Sequence, residues 1–274
     1  MTKLHNKAGV LVGVAALCTA LLAPVAVAQD DDDVFAEYRE MMGDENPAIF
    51  TIEEGQELWE TPMGPNNVSL EQCDLGLGAG VVDGALAQLP RYFEDAKAVQ
   101  DVEARLLYCM ETLQGRDVID LLVKPYSSAG DQGTELEALV AFIADRSMDA
   151  VVNVPQGHPE EQKMYKKGEE IFFYRAGPHD FSCATCHSQT DKRIRLQALP
   201  NLTTNEGAGF AFTSWPGYRI SEGFLRTMGW RMQSCGRQQR LPQFQTGSEA
   251  VIALETYMGV NAKGAVMAAP GLKR

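Results

Sequence analysis

Histidine is scarce in this chain, four in 274 residues, and none follows His187. A site needing several imidazoles from the last third of the sequence is therefore excluded. Positive charge is also in deficit, with 24 Lys and Arg against 37 Asp and Glu for a net −13. A chain this acidic does not bind nucleic acid. Stretches that alternate apolar and polar residues are sparse, which argues against a sheet-built fold. One long apolar run exists, from Ala8 to Val27. It sits between Lys3, His5 and Lys7 on one side and Ala26-Val27-Ala28, Gln29 and four aspartates on the other. That is the layout of a secretory signal peptide cut after Ala28, not of a stable membrane insertion. Removal of Lys3 and Lys7 with the leader takes the charge from −13 to −15, and Cys18 is discarded with it.

Export, here to the periplasm, permits disulfides and is where c-type haem is assembled. Five cysteines remain: Cys73, Cys109, Cys183, Cys186 and Cys235. Two of them fall in Cys183-Ala184-Thr185-Cys186-His187. C-x-x-C-H is the attachment pattern of haem c, in which both thiols bond the porphyrin and the histidine becomes an axial iron ligand. Zinc of the Cys/His type would need a second ligand pair at suitable spacing, and none follows. A thioredoxin-like C-x-x-C would need a βαβ setting that the sequence lacks.

The chain divides into a leader at 1–28, an acidic N-terminal arm at 29–49, a segment at 50–147, a linker at 148–158 and a haem-binding segment at 159–274. Leu106, Leu107, Met110 and Leu113 recur at helical spacing, as do Leu136, Leu139, Val140 and Ile143. Pro159 and the acids after it open a further helix, roughly to Tyr174. Residues between Leu199 and Trp215 read as loop, a last helix spans about Ser248 to Met258, and the tail after Gly259 reads as weakly ordered.

The two segments echo each other. Arg105-x-x-x-Cys109 resembles Arg231-x-x-x-Cys235, and Gly133-Thr134-Glu135 resembles Gly247-Ser248-Glu249. Cys73 falls opposite Cys183, but Gly76 and Leu77 stand where the second thiol and the histidine would be. The expected fold is therefore mainly α, with two cytochrome c-like domains in tandem, the first degenerate and without haem. Lacking a porphyrin, Cys73 and Cys109 would face one vacated pocket, where a disulfide can join them. On the loop-entropy argument such a bond stabilises by about 3–4 kcal/mol.

The sixth position on the iron has several candidates. His158 lies in the linker and His179 is too near the motif to reach the opposite face. Met228, Met232, Met258 and Met267 are the thioethers within reach, methionine being the usual partner in electron-transfer cytochromes c. Cys235 is the thiol left over when the other four are assigned, and an odd cysteine in a secreted protein suggests a reactive group or a ligand. Between Trp215 and Arg240 lie Arg219, Arg226, Arg231, Arg237 and Arg240 against the single acid Glu222. Such a concentration of positive charge favours a thiolate and draws in a small oxyanion. Arg231 and Cys235, four apart, share a helix face.

With these residues in view the chain resembles the SoxA family, the larger cytochrome c subunit of SoxAX complexes. The resemblance rests on Cys183-Ala-Thr-Cys-His187, Trp215-Pro-Gly-Tyr-Arg219, Arg231-x-x-x-Cys235, and Cys73 with Cys109, and runs from about residue 45 to 260. It implies one covalently bound haem c, held through Cys183 and Cys186, with His187 and Cys235 as axial ligands. It implies an L-cysteine S-thiosulfotransferase that couples thiosulfate oxidatively to a cysteine of the SoxYZ carrier, with electrons passing to cytochrome c. Cys235 would be the catalytic sulfur, carried as a persulfide, and Arg231, with Arg237 beside it, would bind substrate. A SoxX-like small cytochrome c would be the partner subunit. The competing expectation is a simple electron-transfer cytochrome c with methionine ligation.

Overall fold

The computed structural model describes residues 47–129, 133–194 and 197–273. The leader, Cys18 and nearly all of the acidic arm lie outside them. No helix among the described residues is long and apolar enough to cross a membrane.

The protein is mainly helical, and its helices follow the order the apolar spacing predicts. In the first segment α1 (Ala48–Glu60) packs on α4 (Glu135–Asp145). The two backbones come so close that a Cβ on Gly55 would lie 2.0 Å from the Ala138 carbonyl oxygen. Thr134 starts α4 through a capping box with Glu137, satisfying two amides the helix end would otherwise orphan. Between them come a short antiparallel hairpin, β1 (Arg91–Phe93) and β2 (Ala98–Gln100), then α2 (Val102–Thr112) and the five-residue α3 (Ile119–Val123). Asp101 caps α2 by accepting from the Ala104 amide at 2.7 Å. Cys109 on α2 is bonded to Cys73, with both sulfurs buried in the core.

The second segment repeats this plan. Helix α5 (Pro159–Phe173), opened by Pro159 and a His158/Glu161 capping box, packs on α9 (Glu249–Asn261). Here a Cβ on Gly168 would lie 2.0 Å from the Ala253 carbonyl oxygen. Between them are α6 (Cys183–His187), a two-residue hairpin β3 (Arg193–Ile194) and β4 (Gln197–Ala198), α7 (Asn205–Thr213), β5 (Gly217–Arg219), β6 (Phe224–Arg226) and α8 (Met228–Gln239). A hairpin, a capping residue and a helix bearing Arg and Cys thus occur twice: β1, β2, Asp101, Arg105 and Cys109, then β5, β6, Thr227, Arg231 and Cys235. Every residue of α9 from Val251 to Gly259 is buried. Such all-round burial marks a central helix rather than an amphipathic one.

Two expectations are corrected. The stretch from Leu199 to Trp215 is not all loop, because Thr204 accepts from the Gly207 amide at 3.2 Å and launches α7. The tail is not loose: β7 (Gly271–Lys273) pairs in parallel with β5, and Met267 and Ala269 are fully buried on the way. The pairing is non-local, so no nearby residue announces it. Residues 148–158 connect the segments while packed, with Val152 and Val154 in the core and the Asn153 amide donating to the Ala87 carbonyl.

The segments share one apolar core that runs from Trp59 and Leu106 through Val140 to Phe172 and Tyr257. Polar contacts also cross the seam. Tyr92 stacks on His158 at 3.7 Å, the Tyr126 hydroxyl meets the Thr246 hydroxyl at 3.0 Å, and Arg226 donates to Glu137 at 2.8 Å with both side chains sealed from water.

Three buried acids, Asp101, Glu103 and Glu255, also line this seam. Burial, and then the charge of Asp101, pushes Glu103 up to about 8; burial raises Asp101 and Glu255 as well. Glu103 accepts from the Tyr126 hydroxyl at 2.6 Å and bonds the Thr227 side chain, which offsets part of the rise, and it also faces Glu137. It therefore holds a proton in the folded state that the unfolded chain releases near its ordinary value of 4.5. Its contribution to stability is greatest below that value and declines as pH rises toward 8, by up to about 1.4 kcal/mol per pH unit for one proton. Denaturant midpoints from pH 5 to pH 8 should therefore fall more steeply for the native protein than for Glu103→Gln. Parallel curves would show that Glu103 is already ionised in the fold.

Candidate haem and sulfur site

Ser182 fixes the start of α6. Its hydroxyl accepts from the Thr185 amide at 3.2 Å while the Thr185 hydroxyl accepts from the Ser182 amide at 3.0 Å. This capping box holds Cys183, Cys186 and His187 on little more than one turn. Both thiols are half-buried and free of disulfide. His187 Nδ1 lies 2.9 Å from the Pro200 carbonyl oxygen. Since a carbonyl can only accept, the proton belongs on Nδ1 and the Nε2 lone pair is left as the ligating atom. Burial, then the Arg231 charge, lowers the imidazole's proton affinity, which favours the neutral form a metal needs.

Helix α8 carries the remaining thiol of the site. Thr227 caps it by accepting from the Trp230 amide at 3.1 Å, and Arg240 ends it in the left-handed region. Arg231 and Cys235 are one turn apart and both half-buried. Cys235 is close enough to Cys183 and Cys186 for their charges to interact. The haem motif and the leftover thiol are thus brought together from positions about fifty residues apart. Burial raises the Cys235 thiol, and the Arg231 charge acts in the expected direction, offsetting part of that rise. Cys183 is pushed up to about 12, mainly by burial.

The other iron-ligand candidates separate clearly. His158 accepts from the Glu160 amide and stacks on Tyr92, and His179 lies against Phe181. Met258 and Met267 fill the core, whereas Met228 and Met232 are partly buried on the helix that carries Cys235. The five arginines part company too. Arg226 is fully buried and committed to Glu137 and Ser127. Arg237 and Arg240 are exposed, leaving Arg219 and Arg231 half-buried beside the site. The Pro200 carbonyl and the Glu137 counter-ion had no sequence signal, because each is a tertiary neighbour of an unremarkable residue type.

Among the described residues no three His, Cys, Asp or Glu side chains converge as a metal nest. The donor set fits a haem: two free thiols on one turn, an imidazole with Nε2 available, and a third thiol or a thioether from α8.

A protein of Hydrogenophilus thermoluteolus named L-cysteine S-thiosulfotransferase subunit SoxA is 47% identical over 263 residues, covering 94% of this chain and 96% of its own. The chain belongs to the SoxA family. A SoxA of Hydrogenobacter thermophilus is 34% identical over 228 residues, covering 82% of this chain and 83% of its own. The family pattern for the SoxA/TsdA cytochrome c domain matches residues 54–152, within the segment that lacks C-x-x-C-H. The SoxXA crystal structure from P. pantotrophus superposes with a TM-score of 0.69 at 22% identity, covering 87% of this chain and 84% of that one, so the fold is shared. As a SoxA with a cytochrome c domain, the chain is a haem c protein.

Proposed function

We propose that this chain is the haem-bearing catalytic subunit of an L-cysteine S-thiosulfotransferase, coupling thiosulfate to a cysteine of SoxYZ. The observation that carries the reading is Cys235, a free half-buried thiol that α8 sets beside the C-x-x-C-H turn and one helical turn from Arg231. Cys183 and Cys186 would hold a single haem covalently, and His187 Nε2 and Cys235 Sγ are the atoms that would ligate its iron. The haem supplies the one-electron redox capacity through which electrons leave for cytochrome c.

The chemistry at the residues is an oxidation followed by an exchange. Arg231 holds the sulfonate end of thiosulfate against Cys235. The outer sulfur bonds to Sγ as two electrons depart, giving Cys235 as a thiosulfonate. The carrier thiol loses its proton and attacks that outer sulfur, the S–S bond to Cys235 breaks, and Cys235 leaves as thiolate. The sum is one new carrier S–S bond, one proton and two electrons. Cys235 is thereby returned as the thiol that takes up the next thiosulfate.

The rest of the reading follows the same residues. A SoxX-like small cytochrome c would pack on the second segment, and the mature protein would work in the periplasm after loss of residues 1–28. Residues 29–49 would form an arm, 148–158 the connection, and 50–147 and 159–274 two cytochrome c-like domains, the first without haem. The twofold recurrence of hairpin, cap, Arg and Cys, together with the paired helix crossings at Gly55 and Gly168, supports that duplication.

One observation favours a second reading, an electron-transfer cytochrome c: Met228 and Met232 share α8 with Cys235 and are not fully buried. A single experiment separates the two. The purified SoxX-bound protein is mixed with thiosulfate, reduced SoxYZ and oxidised cytochrome c. The expected product is a thiosulfonate adduct on the carrier cysteine, with two cytochromes c reduced per adduct. A near-infrared methionine-to-iron band, with cytochrome c reduced and the carrier mass unchanged, would leave only the shuttle.

A further inference from the structure

Two half-buried guanidinium groups at this site, Arg219 and Arg231, lie close enough for their charges to interact, and Glu222 is the acid that acts on Arg219. Arg231 is half-buried, and among the described residues no carboxylate or carbonyl accepts from its guanidinium. Arg219, at the end of β5, lies with its guanidinium carbon 5.3 Å from the centre of the Trp230 ring, the residue next to Arg231. Its Nε is sealed from water and unpartnered, and among the described residues its side-chain hydrogen bond is a long one, 3.4 Å to the Ser221 hydroxyl. The nearby acid Glu222 is shared with Arg226 at 3.5 Å. Burial, and next the charge of Arg231, lowers the proton affinity of Arg219, as expected when two like charges are held together.

The first segment shows what a compensated version looks like. Arg105 stands where Arg231 does, one turn before a cysteine on the equivalent helix. Its two terminal nitrogens donate to both oxygens of Asp95 at 2.9 Å, its Nε donates to the Asp74 carbonyl at 2.7 Å, and Phe93 covers its face. Every donor that is satisfied by protein in that copy is left open at Arg231, and a second guanidinium has been added. Half-buried charge of one sign in a protein that is otherwise strongly acidic calls for an anion supplied from outside the chain.

We propose that Arg219 and Arg231 together form one two-armed site for an anionic oxygen-bearing group, with Arg219 the second binding residue rather than Arg237. This deepens the reading of Cys235 as a thiosulfate-handling centre and rests on it. Two guanidinium forks match the oxygens of a sulfonate or of a carboxylate. The occupant is therefore either the oxyanion end of thiosulfate or a propionate of the haem.

The test uses the haem-loaded SoxX-bound protein and reads binding and potential instead of turnover. Thiosulfate is titrated into the oxidised complex by calorimetry without carrier, and the haem midpoint potential is measured in parallel. For Arg219→Gln, thiosulfate affinity falling about tenfold or more at unchanged potential identifies the free oxyanion. A lower potential with unchanged thiosulfate affinity identifies the propionate, since removing a neighbouring cation disfavours the reduced haem. Arg237→Gln, on the exposed end of α8, leaves both quantities as in the native protein. If Arg219→Gln does not fold, Arg219→Lys keeps the charge but loses the fork and should shift the same quantity to a smaller extent. Native values of both quantities in a folded Arg219 variant overturn the proposal. Normal turnover by a Cys235 variant would instead sink the underlying reading and leave both of these measurements untouched.

Discussion

A Cys235→Ala variant will fold, keep its haem through Cys183 and Cys186, and lose thiosulfate coupling by roughly a thousand-fold or more, the scale seen when a covalent nucleophile is removed. The fold does not depend on this thiol. It is only half-buried, and α8 is held by the Thr227 cap and by the buried residues Gly229, Trp230, Ser234 and Gly236. Removing one sulfur from such a position costs about 1 kcal/mol or less. The expected signature is therefore a normal denaturation midpoint and a retained haem stain, together with a changed electron paramagnetic resonance spectrum and no carrier adduct. Adduct formation at the native rate by a folded, haem-loaded variant would remove Cys235 from the chemistry. A loss of both haem and fold would be a different failure, and the midpoint exposes it.

Arg226→Met will destabilise the protein by about 3–5 kcal/mol, the usual result of stripping one partner from a buried ion pair. Arg226 Nη1 donates to Glu137 Oε1 at 2.8 Å and to the Ser127 hydroxyl and carbonyl at 2.8 and 2.9 Å, with the arginine on β6 and the acid on α4. Glu137 has a second duty, since its Oε2 accepts from the Thr134 and Ser127 amides at 3.0 Å and so closes the capping box of α4. Left alone it would be a fully buried carboxylate with no cation. Adding Glu137→Gln to the methionine variant removes that charge while keeping an acceptor for the two amides. The double variant should recover most of the loss, as neutral replacements of buried pairs often do. Denaturant midpoints of the native, single and double variants give the comparison. A single variant within about 1 kcal/mol of native would mean that water reaches Glu137 in solution.

What could be read in advance was the chemistry written in short spacings. Cys183 to His187 form a contiguous motif, Arg231 and Cys235 are one helical turn apart, and Thr134 and Ser248 are capping residues placed immediately before apolar periodicity. Each of these is fixed by covalent geometry or by the helix repeat. What could not be read was the fate of a side chain whose partner is remote. Arg226 and Arg231 are five residues apart and look alike in sequence, yet one is spent on an acid 89 positions away while the other is left open. Arg237, expected beside Arg231, is exposed, because proximity along a helix is no guide to burial, whereas Arg219 on a neighbouring strand is half-buried. The three-residue β7 escaped for the same reason, since pairing with β5 leaves no periodic trace in so short a run.

The ion pair across the seam also bears on how such a molecule can change over generations. Glu137 belongs to the segment without C-x-x-C-H, yet the residue it neutralises lies on the strand that leads directly into the helix of Cys235. Deleting the first segment would therefore remove the counter-ion of an arginine that immediately precedes the cap of that helix. The segment without C-x-x-C-H thus supplies a charge that the segment bearing it uses.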